Sequence, residues 1–243
     1  MTNNKFKSEP VFSAIMIAVY FALVNSAIRL SHIINIPNSI NALTGIVFAL
    51  VVIAYLKKKK LLSYYGINSL KELDYRNLLF CIPMVIVALS NLRYGIHIND
   101  SLLQIVLISL EAIGVGFAEE MLFRSFLMKA IMNKSTTLAI VISSTIFGGI
   151  HIFNLLYGAD IIMTLAQVVY AAFLGLMFSL FFYRTNNIIP CMICHSVINM
   201  TNTFLPIGLS KEQIYTGWVM IIIPSVFYAC YLYKTKKSLV KKL

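Results

Sequence analysis

Eight apolar runs limit what this chain can fold into. They cover about Val11–Leu30, Asn41–Leu56, Asn77–Leu92, Leu103–Ile131, Thr137–Leu155, Ile161–Tyr183, Ile188–Leu205 and Tyr215–Tyr233. Each is near the ~20 residues an α-helix needs to cross a bilayer. Hydrocarbon offers the backbone no hydrogen-bond partners, so such runs are read as helices. The expected fold class is all-α: a polytopic membrane protein of about eight transmembrane helices enclosing an intramembrane polar cavity. Residues 1–243 are read as a single membrane domain. Pro83 is expected to kink the third run, because an imide has no N–H to give. The mixed stretch Leu61–Arg76 is expected to lie at the interface as an amphipathic segment.

Composition agrees. The chain is 59% hydrophobic and 12% charged, where a soluble domain carries about 25% charge. Its mean hydropathy is +0.83. The net charge of +11 raises nucleic acid as a partner, but the positives sit in short loops and form no stripe with interleaved aromatics, so no nucleic-acid binding is expected. With the N-terminus inside, sixteen Lys and Arg fall on the inner side against three outside (Arg29, Arg93, Lys211). That asymmetry follows the positive-inside rule and places both termini in the cytoplasm. The first run has no small-residue cleavage site after it and is read as a retained span. Cys81, Cys191, Cys194 and Cys230 all fall in apolar runs, which speaks against a disulfide framework. Cys191-Met-Ile-Cys194-His195 spells a haem-attachment pattern, but that chemistry needs an exposed segment, and no haem is expected.

Against this background Ala118-Glu119-Glu120-Met121-Leu122-Phe123-Arg124 is out of place. A charge at the centre of a membrane helix costs about 2.5–3.5 kcal/mol on insertion scales. Ionisable residues there face the bundle interior and mark a site by default. Glu120 and Arg124 are four apart and can pair on one helix face, while Glu119 is turned ~100° from Glu120. His151 on the fifth run follows Phe147, with Gly148 and Gly149 between them as a place for close helix approach. His195 and Asn199 share a face of the seventh run. All these groups fall at compatible depths and can meet in one cavity. Asn154 and Asn202 are read as helix glue, and Glu111 as a solvated group at the outer boundary.

These residues resemble the CPBP family, the CAAX-protease and bacteriocin-processing (Abi) proteins. Glu119-Glu120-Met-Leu-Phe-Arg124 matches its EExxxR motif, Phe147-Gly-Gly-Ile-His151 its FxxxH, and His195-Ser-Val-Ile-Asn199 its HxxxN. The similarity covers about residues 103–205. It implies an integral membrane endopeptidase, expected in a bacterial plasma membrane, acting on a membrane-associated or lipidated peptide or protein. The alternative is a non-catalytic immunity or scaffold protein of the same fold. By analogy with the family, Glu119 is the general base aided by His151, His195 and Asn199 hold the oxyanion, and Glu120 and Arg124 form a structural pair. The favoured mechanism has no cofactor. The rival uses zinc on Glu119, His151 and His195, a ligand set drawn from three helices. Ser196 and Cys194 are out of step with His195 and are not read as nucleophiles.

Overall fold

The computed structural model describes residues 10–74, 77, 79–206 and 208–235. Lys5, Lys7, Arg76 and the tail lysines from 236 onward, counted above among the inner positives, lie outside the described residues. Eight helical rods follow one another, and no strand occurs among the described residues. They are α1 (Pro10–Ile33), α2 (Ser39–Lys58), α3 (Cys81–Leu89), α4 (Leu102–Glu120), α5 (Thr136–Gly149), α6 (Ile161–Thr185), α7 (Ile189–Thr203) and α8 (Lys211–Lys234). Three rods change pitch without stopping. A 3₁₀ turn at Ser90–Tyr94 extends α3. A π-helical stretch, Met121–Met128, and a last α turn, Lys129–Met132, extend α4. A 3₁₀ stretch, Ile150–Tyr157, extends α5.

Local sequence accounts for the boundaries. Ser101, Ser135, Asp160 and Ser210 each cap a helix by accepting a backbone N–H three residues on, which satisfies a donor that the first turn leaves over. Gln213 completes a capping box with Ser210. Asn186, at φ 49°, ends α6, and Pro190 lies in the first turn of α7, where its missing N–H costs nothing. The kink expected at Pro83 is realised as a break. Helical backbone at Leu79 gives way to a turn at Phe80, and α3 restarts at Cys81. Proline cannot bond the carbonyl four residues back, which here is that of Leu79.

Among the described residues six helices are long and apolar enough to cross a bilayer: α1, α2, extended α4, extended α5, α6 and α8. The chain is therefore an integral membrane protein. The two remaining rods are shorter than the eight-span reading expected; α7 has 15 residues, a rise of about 22 Å. At one end of α7, Ile188 N bonds Gly66 O (2.9 Å), beside Lys129 and Asn186; at its other end His97 N bonds Phe204 O (2.9 Å). The outward faces of the long helices carry aliphatics such as Val11, Val19, Leu50, Val51 and Leu165, while Glu119, Glu120 and Arg124 are buried, the arrangement a lipid solvent favours.

The stretch from Leu61 is not the amphipathic element expected. Among its described residues the only helix is one 3₁₀ turn, Leu70–Glu72. Its backbone is tied down instead: Ser125 Oγ donates to Tyr65 O (2.7 Å), Asn68 Nδ2 to Asn186 O (2.7 Å), and Lys129 Nζ to Tyr64 O and to Asn186 Oδ1 (2.7 Å). Polar groups from three segments satisfy one another there, so the stretch closes the bundle end.

Extended α4 is the axis. α2 and α7 pack along its α-helical part, and α1, α5 and α6 cover the π-helical stretch. All eight residues from Met121 to Met128 are buried.

Candidate active site

The EExxxR segment straddles the change of pitch. Glu119 and Glu120 are the last residues of the α-helical part, and Arg124 lies in the π-helical stretch. A π segment widens the backbone bonding to i→i+5, and such segments recur at functional sites. Glu120 and Arg124 are both fully buried, with Arg124 Nε 3.3 Å from Glu120 Oε2. The two are not aligned for a hydrogen bond, and the guanidinium nitrogens have no hydrogen-bond partner among the described residues. Charge and aromatic faces hold the guanidinium: its carbon lies 4.1 Å from the Phe147 ring centre, 5.9 Å from Phe178 and 6.0 Å from Phe123. A desolvated cation gains about 2 kcal/mol or more over such faces.

His195 joins the two carboxylates. Its Nδ1 is 3.0 Å from Glu120 Oε1, and its Nε2 is 3.7 Å from Glu119 Oε2. A carboxylate can only accept, so Nδ1 carries a proton toward Glu120. This contact fixes the ring, as second partners of functional histidines do. Glu119 and His195 are each 7% exposed, whereas Glu120 and Arg124 are sealed at 0%. The chain therefore presents Glu119 and His195 Nε2 outward from a closed Glu120–Arg124 base.

α7 comes this close because of Gly116. A Cβ there would lie 2.3 Å from Ser196 Oγ and 3.0 Å from Met192 O. Gly116→Val is expected to force α4 and α7 apart, lowering stability by about 1–3 kcal/mol; thermal unfolding of the purified variant checks this. Gly148 serves the α5–α6 contact in the same way, with a Cβ 2.5 Å from Val168 O; Gly149 faces open space, so close approach needs only the first of that pair.

His151 begins its role where α5 tightens into 3₁₀ geometry. It is half-buried, and its ring meets the edge of Phe147 at 5.8 Å, while the His195 ring meets Phe147 at 5.6 Å. Phe147 is thus the hub of the site, touching both histidines, Phe123 and Arg124. Asn199 lies one turn beyond His195 on α7, half-buried, and its side chain makes no hydrogen bond among the described residues. The structure thus brings Glu119, Glu120, Arg124 and His195 into contact, sets His151 against them through Phe147, and leaves Asn199 one helical turn away. No three His, Cys, Asp or Glu side chains among the described residues converge on a shared metal position.

Other polar residues resolve differently. Asn91 Nδ2 donates to Asn202 Oδ1 (2.5 Å) and Asn154 Nδ2 to Gln167 Oε1 (2.9 Å), the interhelical roles expected of them. Glu111 is not a free solvated group: it is half-buried and accepts from Asn41 Nδ2 (2.8 Å) and from Asn38 Nδ2, at the start of α2. A carboxylate beside a helix N-terminus is also favoured by the dipole. Cys191 and Cys194 are free and buried, closed to any haem.

Fold and site together define a polytopic helical membrane protein with a buried glutamate–histidine–arginine centre. Residues 101–201 match the profile of a family described as type II CAAX prenyl endopeptidase, Rce1-like. This segment contains all six residues Glu119, Glu120, Arg124, His151, His195 and Asn199, and the CPBP resemblance is thereby shown over it. No curated protein and no solved structure matched the chain.

Proposed function

We propose that the protein is an intramembrane endopeptidase that hydrolyses a peptide bond in a membrane-associated or lipidated peptide or protein. Glu119, aided by His151, takes a proton from water, and the resulting hydroxide attacks the scissile carbonyl. His195 and Asn199 donate hydrogen bonds to the tetrahedral oxyanion; removing one such donor costs about 3–4 kcal/mol in soluble proteases. With its Nδ1–H directed at Glu120, His195 gives Nε2–H to the oxyanion as imidazolium. The proton held by Glu119 then passes to the leaving amine. Glu120 and Arg124 fix α4 and His195 in register.

The observation that carries this reading is the difference between two adjacent carboxylates. Glu120 is committed to Arg124 and to His195 Nδ1, whereas Glu119 leaves Arg124 to its neighbour and faces His195 Nε2 across a longer 3.7 Å. The proposed mechanism uses no cofactor. The substrate reaches the site from within or beside the bilayer. The termini are proposed to be cytoplasmic, in a bacterial plasma membrane; the clustering of Lys129, Asn186 and the loop after Lys57–Lys60 at one end supports a single basic side.

The test is cleavage of a library of prenylated and unprenylated peptides by purified protein in detergent, with Glu119→Ala and His151→Ala beside the parent. Cleavage by the parent that both variants lose is the expected result; a parent that cleaves nothing the variants leave intact contradicts the proposal. Activity is also expected to survive exhaustive chelation with metal content confirmed as nil. Loss on chelation, restored by zinc, would move the mechanism to the metal form.

A further inference from the structure

A groove opens on the outer side of the bundle between the N-terminal end of α3 and α8. Leu79, Phe80 and Pro83 form one wall and Pro224, Phe227 and Tyr231 the other, around a space of about 660 Å³. None of the six motif residues lines it, and neither wall carries an acidic residue. Leu79 and Phe227 stand more than half exposed at its rim. Beneath them the walls are tied together: buried Tyr228 donates to the Phe80 carbonyl, and the Phe80 and Tyr231 rings lie 5.9 Å apart.

One end of the groove carries a cation. Arg184, in the last turn of α6, lays its guanidinium on the Phe80 ring, with its carbon 4.0 Å from the ring centre. The residue that walls the groove is therefore also the platform for the charge. Arg184 Nη1 donates to Thr235 O and to Thr235 Oγ1, 2.9 Å each. Its Nε and Nη2 make no hydrogen bond, and no carboxylate pairs with it, among the described residues. Thr235, Tyr231, Phe227 and Pro224 follow one another at spacings of four, four and three, a single stripe of the last helix. The groove thus runs from the guanidinium down that stripe, about 16 Å to Pro224. Arg184 precedes Asn186 by two residues, at the bundle end that also holds Lys129.

We propose that this groove binds an anionic phospholipid, with one acyl chain along the α8 stripe and the phosphate on the free edge of the Arg184 guanidinium. The proposal stands apart from the endopeptidase reading. A guanidinium offers a fork of donors that matches two phosphate oxygens, and basic pockets between membrane helices take anionic headgroups. A zwitterionic lipid would fill the apolar part but bring its own cation beside Arg184. A second copy of this chain fits the groove less well. Copies in one bilayer share an orientation, so a neighbour of net charge +11 would set its own basic end against Arg184.

The experiment titrates purified full-length protein, stripped of lipid in detergent, with phosphatidylglycerol or phosphatidylcholine of the same acyl chains. Native mass spectrometry counts the bound lipid. Phosphatidylglycerol is expected to bind at least fivefold more tightly than phosphatidylcholine. Arg184→Gln should bring the two lipids within twofold of each other. Lys134→Gln removes an exposed charge that does not line the groove and should keep the preference. Leu79→Trp fills the groove from its rim, leaves Arg184 and Thr235 in place, and should weaken phosphatidylglycerol fivefold or more; it decides the matter where Arg184→Gln does not fold. Equal binding of the two lipids by the parent overturns the proposal. So does a preference that Lys134→Gln lowers as far as Arg184→Gln does, which marks general attraction to a basic end, or phosphatidylglycerol binding by Leu79→Trp within twofold of the parent. A dimer of the lipid-free parent that Leu79→Trp abolishes would put a second copy in the groove and overturn it as well.

Discussion

Glu119→Gln is expected to lower kcat by about 10³-fold, within the 10²–10⁴ range that a positioned general base contributes, while the protein stays folded. The substitution keeps volume and removes only the basic oxygen. Glu119 is not the partner of Arg124, which is paired with Glu120, and His195 keeps its closer contact with Glu120. Its loss therefore strands no charge, and the melting temperature should hold. Progress curves on a cleaved peptide, together with thermal unfolding of the same sample, measure both halves.

The second large effect is on stability. Arg124→Met should destabilise the protein by about 3–5 kcal/mol, the usual consequence of removing one partner of a buried ion pair. Both side chains are at 0% exposure, and Glu120 Oε2 has no hydrogen bond to fall back on. If the stranded carboxylate is the cause, Glu120→Gln added to Arg124→Met should recover a large part of the loss. The double-mutant cycle reads that coupling directly. Additive losses in the double variant would show that Arg124 stabilises through its three phenylalanine faces and not through the pair.

Much of this was legible in the chain. Apolar runs and loop charges gave the helical membrane class and the order of the rods, and Glu120 and Arg124 announced their pairing by spacing alone. The rest depended on departures from ideal helix geometry. A uniform α-helix turns Glu119 ~100° from Glu120, which suggests separate surroundings; instead both carboxylates meet one imidazole, each through a different nitrogen. No pattern of residue types marks where α4 widens at Met121 or where α5 tightens at Ile150. Phe147 reads as one apolar residue among many, and its role as hub exists only once α4, α5 and α7 are brought together. Glu111 was misread because its partners, Asn38 and Asn41, lie about 70 residues away in sequence.

The central claim is that two adjacent glutamates have different work: Glu119 acts on water, and Glu120 holds the site together. Measuring kcat and melting temperature for Glu119→Gln and Glu120→Gln side by side on one peptide tests this most directly. The account predicts that Glu119→Gln loses turnover at an unchanged melting temperature, while Glu120→Gln lowers the melting temperature by stranding Arg124. Turnover retained by Glu119→Gln, or a stability loss that falls on Glu119→Gln and spares Glu120→Gln, would contradict it.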